Sequence, residues 1–328
     1  MRQHPNRRDF MGRQLLAGLG LLASAGAIPA WAAGQFSKPL QLIVPYGAGG
    51  PTDTLLRTLS AQAAQALGQE IVIENRPGAN GTFGAAALAR ARDGHTIAVL
   101  PATVFREPFL TKVSFDPLKL SYIICMTNYV FGFAVSQDAR WKNWQDFAQE
   151  AKQRPGQLTV GVTGATGTPR IVMGEVAQAL GLEINIVPYK SDSDITTELL
   201  GGHLDAAAMT GTAVQYIRAG RMRYLAMLTE QRSELFPDLP TMRELGADTW
   251  VDSPFGLAGP PGMDAAQVQA VHDAFKQALE SDAGRQALAQ LNQPLNYMGP
   301  KEYTAYAAQS VAKEKARVQQ LRAQGLLG

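Results

Sequence analysis

The stretch Leu40-Gln41-Leu42-Ile43-Val44-Pro45-Tyr46-Gly47-Ala48-Gly49-Gly50-Pro51-Thr52-Asp53 decides how the rest of the chain is read. A short apolar run ends in a glycine-rich turn, and an apolar-periodic segment follows with Leu55, Leu59 and Ala63 on one face. That order is strand, loop, helix. Pro51 suits the first helical position, where a missing N–H costs nothing. Gly47, Gly49 and Gly50 let backbone approach a ligand closely. Free N–H groups at a helix start, aided by the dipole, favour an anion. With no Lys or Arg in the loop, the stretch reads as a backbone-amide cup for a small carboxylate or phosphate. It lacks the Gly-Lys-Ser/Thr ending of a nucleotide P-loop and the spacing of a dinucleotide fingerprint.

Working outward, Ile71–Glu74 reads as a second strand and Asn75–Gly81 as a loop, by its Pro-Gly and Asn-Gly pairs. Thr96–Leu100 is a third strand, whose end, Pro101-Ala102-Thr103, lies beside the first loop if strands one and three are neighbours in a parallel sheet. Ligands of such sheets bind outside the carboxyl ends of the strands. The opening pattern then recurs. Leu158–Val162 is a strand, Thr163-Gly164-Ala165-Thr166-Gly167-Thr168-Pro169 a Gly/Thr loop, and Ile171–Leu180 a helix. Thr168 is placed to cap that helix. Two cups of similar construction, each opening its own α/β unit, suggest a pincer on one ligand. Three helices, Ala265–Glu280, Asp282–Leu291 and Pro300–Leu321, close the chain.

Residues 1–32 read as an export signal. Arg2, Arg7, Arg8 and Arg13 form a basic start, Leu15–Ile28 is too short for a comfortable membrane span, and Ala30-Trp31-Ala32 offers a cleavage site after Ala32. Asn6–Met11 partly matches the twin-arginine pattern, and both twin-arginine and general secretory routes stay open. Removing this segment takes four Arg and one Asp. Lys plus Arg falls from 30 to 26, Asp plus Glu from 28 to 27, and the net charge from +2 to −1. A nucleic-acid surface is therefore not indicated. The single cysteine, Cys125, cannot form an internal disulfide and sits in the apolar stretch Leu120–Met126, as a buried thiol would. No cysteine at the cleavage point argues against a lipoprotein anchor. Trp141 and Trp144 read as core.

The motifs Val44–Asp53 with Arg57, Glu74–Gly81, Asp93-Gly94-His95-Thr96, Pro188-Tyr189-Lys190, Leu200–Asp205 and Arg223–Ala226 through Pro237–Thr241 are similar, in order and spacing, to one family. The chain resembles the periplasmic receptors of tripartite tricarboxylate transporters, the TctC or Bug family, from about Lys38 onward. The resemblance implies an α/β, two-lobed periplasmic-binding-protein fold of type II, a Venus flytrap with a mainly parallel sheet in each lobe. It places domain 1 at about 34–133 plus 253–328 and domain 2 at about 134–252. It implies a periplasmic, monomeric receptor that pinches a carboxylate (dicarboxylate, amino acid or aromatic acid) and passes it to membrane permease subunits. By the same resemblance Tyr46, Ala48, Gly49, Gly50 and Asp53 serve on one side, and Thr163, Thr166, Gly167 and Thr168 on the other. Thr103 and Asp205 are additions at strand ends.

Asp53 beside a bound carboxylate would repel it, so fixing the loop is its expected role. The chain departs from the family at Ser191-Asp192-Ser193-Asp194, where Gly and Pro often follow the Tyr-Lys pair, and in a Thr-rich second cup. An Asp192 or Asp194 facing the cleft would favour an amine-bearing ligand. His95, His203 and His272 show no metal spacing, and no Gly-x-Ser-x-Gly elbow occurs. No cofactor or metal is expected. A hydrolase or lyase using Asp53 or Asp205 as base, and a receptor serving a membrane sensor, are the alternatives to transport.

Overall fold

The computed structural model describes residues 36–325, so the expected signal segment lies outside the described residues. The chain builds β1 (Leu40–Val44), α1 (Pro51–Leu67), β2 (Ile71–Asn75), α2 (Phe83–Leu88), β3 (Thr96–Leu100), α3 (Thr103–Arg106) and β4 (Ser121–Asn128). It continues with β5 (Gly132–Ser136), α4 (Trp144–Gln153), β6 (Thr159–Thr163), α5 (Thr168–Leu180), β7 (Asn185–Tyr189), α6 (Asp192–Leu200), β8 (Ala206–Met209), α7 (Thr212–Arg218) and β9 (Met222–Met227). The last stretch is β10 (Pro254–Gly259), α8 (Ala265–Glu280), α9 (Asp282–Gln290), β11 (Leu295–Met298) and α10 (Pro300–Ala323).

These strands form two sheets, ordered β11-β4-β10-β3-β1-β2 and β7-β6-β8-β5-β9. In the first, β1 runs parallel to β2 and β3, as the opening stretch implies. In the second, β6 runs parallel to β7 and β8. The sheets are mixed rather than mainly parallel. Strands at the passages between the sheets enter against the grain: β10 is antiparallel to β3 and β4, and β5 to β8 and β9. Helices cover both sheets, giving the two-lobed α/β fold.

The chain passes between lobes through residues 129–131 and 228–253, and these passages are bonded to each other. Tyr129 N donates to Ser253 O at 3.0 Å, and Leu228 N to Phe131 O at 2.9 Å. The Tyr129 ring stacks on Phe255 at 4.4 Å. The polar backbone of a buried crossing is thus satisfied by its counterpart.

The cores are apolar, and Trp141 and Trp144 are both buried, edge-on to Phe147 and Phe133 respectively. Cys125 is fully buried, and burial pushes its thiol up to about 12, so it stays an unreactive packing group. The short strand β11 was not expected from the polar run around it. Its pairing with β4 makes it a strand. Among the described residues no helix is long and apolar enough to cross a membrane.

β10 runs so close to β4 that a Cβ on Gly256 would lie 2.0 Å from Ile124 O, a backbone atom that cannot rotate aside. Gly256→Val is therefore expected to destabilise the protein by about 2 kcal/mol or more, read as a lower urea midpoint. A midpoint equal to the wild type would contradict this packing.

Candidate functional site

Both Gly-rich turns open on one cavity of about 350 Å³ between the lobes. From the first lobe it takes Tyr46, Gly47, Gly50, Thr52 and the loop Gly78–Gly81, and from the second Thr163–Ala165, Gly167 and Thr168. Each turn starts a helix in the same way. Gly50 is the N-cap of α1 with Pro51 after it; Gly167 is the N-cap of α5, followed by Thr168 and Pro169. First-turn amides have no carbonyl one turn back to accept from them, and here two helices start at one cavity from opposite lobes. At Gly167 a Cβ would lie 2.1 Å from Thr163 O, so only glycine closes this turn.

The structure sorts the expected site residues. Tyr46, Gly50, Thr103, Thr163, Gly167 and Thr168 line the cavity. Ala48 and Gly49 are exposed on the outer edge of their turn. Gly49 N is drawn back to Asp53 Oδ2 at 2.9 Å. Asp53 also accepts from Arg57 Nε at 2.9 Å and from Asn75 Nδ2 at 2.9 Å, so it fixes the loop and lies outside the cavity lining. Thr166 is outside it too: its hydroxyl donates to Glu107 Oε2 at 2.8 Å. Thr168 does not cap α5 with its side chain; Arg106 Nη2 donates to its hydroxyl at 3.3 Å.

Asp205 is corrected outright. It precedes β8 and accepts from Thr159 N and Oγ1 at 2.9 and 3.0 Å, at the start of β6. The cavity lies past the other ends of these strands, at Thr163 and Thr210.

Other cavity residues escaped the sequence. Gly78, Ala79, Asn80 and Gly81 all have positive φ, uncommon for Ala79 (46°) and Asn80 (52°). The loop is held by Thr103 Oγ1 donating to Asn80 O at 2.7 Å and by Asn80 Nδ2 reaching Glu107 Oε1 at 3.3 Å. Tyr129, Phe131 and Ser253, at the lobe passages, line the cavity as well. Nothing in their apolar surroundings marks such residues as ligand-facing. Tyr129 OH shares a 2.6 Å hydrogen bond with Thr52 Oγ1. Burial first, and then the charge of Asp192, raise the Tyr46 phenol above its ordinary value. Both tyrosines thus stay neutral.

The turns are braced across the lobes. Arg106, fully buried, donates through Nε to Glu314 Oε2 at 2.6 Å and through Nη1 to Thr166 O at 2.8 Å. Two turns into α5, Glu175 pairs with Arg317 of α10 at 2.8 Å. Among the described residues no group of His, Cys, Asp or Glu is arranged to hold a metal ion.

Residues 55–323 match the family described as the tripartite tricarboxylate transporter family receptor. The chain belongs to that family. It is 39% identical over 319 residues to a UPF0065 protein in the gbd 5' region of Cupriavidus necator, covering 96% of this chain and 98% of the relative. It is 32% identical to Protein BugT of Bordetella pertussis, over 84% of this chain and 87% of that protein. Among solved structures, the periplasmic binding protein BugD superposes with a TM-score of 0.82 at 25% identity, over 89% of this chain and 99% of that one. This family of receptors is one of substrate-binding proteins.

Asp53 carries a pH prediction. Burial alone would raise its carboxyl, but the hydrogen bonds from Arg57, Gly49 and Asn75 outweigh burial and lower it. A carboxylate depressed in the folded state contributes stability above its unfolded value and loses it as pH falls through the folded one. Asp53→Asn should cost about 1–3 kcal/mol at pH 7, and the gap to wild type should narrow below about pH 4. Urea unfolding at pH 7 and pH 3 checks this; a pH-independent gap would contradict it.

Proposed function

We propose that the chain is an extracytoplasmic solute receptor that captures a small carboxylate between its lobes and delivers it to the membrane permease of a tripartite tricarboxylate transporter. One observation carries the reading: two helix N-termini, from different lobes, open on one cavity whose buried wall holds no cation. Lys190, the one Lys or Arg in the lining, is exposed. An anion there draws on backbone amides and helix dipoles. Hydrogen bonds to a charged group contribute about 1.5–3 kcal/mol each, enough in combination for useful affinity without an ion pair.

In this reading the first-turn amides of α1 and α5 hold the carboxylate oxygens, while Tyr46 and the Gly78–Gly81 loop bound the remaining volume. A cavity of about 350 Å³ fits a small organic acid and lies at the low end for ligand pockets. Binding across two lobes favours their closed arrangement, a hinge motion about the paired passages. Release to a permease then requires only reopening, with no bond made or broken. The first 32 residues would direct export, and domain boundaries near 133 and 253 would let each lobe move as a body.

Thermal melting of the purified protein against C4–C6 mono- and dicarboxylates, amino acids and aromatic acids, with matched amides, tests the reading. A ligand at one hundred times its dissociation constant adds roughly 2.7 kcal/mol. The expected result is a clear shift for at least one acid and none for its amide. Amides acting as well as acids would overturn it. So would the absence of any shift in protein shown by mass spectrometry to carry no acid.

A further inference from the structure

The cavity wall contains one buried carboxylate, Asp192, 7% exposed. It is the first residue of α6, with Ser191 as N-cap. Its Oδ1 accepts from Thr163 Oγ1, and its Oδ2 from the amide and hydroxyl of Thr210. All three donors are neutral. The other buried acids near the cleft differ. Asp53 is paired with Arg57, and Glu107 lies outside the cavity wall.

The charge of Asp192 is felt at the cavity's tyrosines. After burial it is the next influence raising the Tyr46 phenol, and it adds to the rise at Tyr129. Thr163, its hydrogen-bond partner, belongs to the second cup. Asp192 therefore sits beside the carboxylate position on the second lobe, in a cleft that excludes water when shut. A negative charge desolvated there is unfavourable unless the ligand supplies a counter-charge. A second ligand carboxylate would add repulsion; an ammonium group would supply the missing cation and donors for the carboxylate's free lone pairs.

We infer that Asp192 makes this receptor select acids bearing an ammonium group, that is amino acids, over dicarboxylates and plain monocarboxylates of equal length. This rests on the carboxylate-receptor reading above.

Calorimetric titration of the intact protein tests it with matched sets of four to six carbons. Each set holds the monocarboxylate, the dicarboxylate, the α-amino acid and the ω-amino acid. At one length or more an amino acid should bind at least tenfold tighter than both other acids. In Asp192→Asn that ratio should fall at least tenfold, a change that a merely structural role would not produce. Should Asp192→Asn fail to fold, the wild type decides: trimethylating the amine of the best ligand removes its N–H donors and should weaken binding at least tenfold. A dicarboxylate or monocarboxylate binding tightest at every length overturns the inference and leaves the receptor reading standing. So does a ratio unmoved by the substitution, or full binding of the trimethylated ligand. No binding by any acid, in protein free of pre-bound acid, overturns the receptor reading first and this one with it.

Discussion

Arg106 is fully withdrawn from water, and a buried guanidinium is tolerated only where its donors find acceptors. Glu314, the Thr166 carbonyl and the Thr168 hydroxyl supply them. Two of those acceptors belong to the opposite lobe, so satisfying one side chain fixes the second turn against the first lobe. Glu107, next in sequence, takes the Thr166 hydroxyl and the Asn80 amide together. One dipeptide thereby sets the spacing between two loops of the cavity, Gly78–Gly81 and Thr163–Thr168. Breaking such a pair on one side leaves a charge uncompensated, which makes this brace a condition for holding the second turn against the first lobe.

The rest of the site follows from how little of it is charged. The turns present backbone, the tyrosines are held neutral by burial, and Asp53 faces its own loop. An anion held by amides and dipoles can leave when the lobes part, because water readily replaces each hydrogen bond. A receptor that must surrender its ligand benefits from that balance; a buried arginine clamp in the cavity would hold more firmly. Against so neutral a wall, Asp192 is the one buried carboxylate.

Much of the fold was legible because its signals are local. Gly50-Pro51 and Gly167-Thr168-Pro169 mark helix starts by backbone rules that hold in any tertiary setting, and the strand–helix alternation pointed to parallel pairing, while the adjacency of β1 and β3 was only a condition in the sequence and is supplied by the structure. What stayed hidden is set at long range. Arg106 looks like any arginine near a helix; its partners are 60 to 208 residues away. Tyr129, Phe131 and Ser253 face the cavity because the passages between lobes run past it. Asp205 was misplaced because a strand-end aspartate lies at either end of a sheet until the start of its strand is known. Ala48, Gly49 and Thr166 carry the right pattern, yet a turn has an outer edge as well as an inner one.

The most direct measurement of the central claim is a nuclear magnetic resonance titration of the deuterated, 15N-labelled protein with an acid that binds it, following the first-turn amides Thr52 and Asp53 of α1 and Thr168 and Arg170 of α5. The account predicts that both pairs shift together, with one dissociation constant, as a single carboxylate is gripped from two lobes. Shifts confined to one pair, or two different constants, would contradict the pincer.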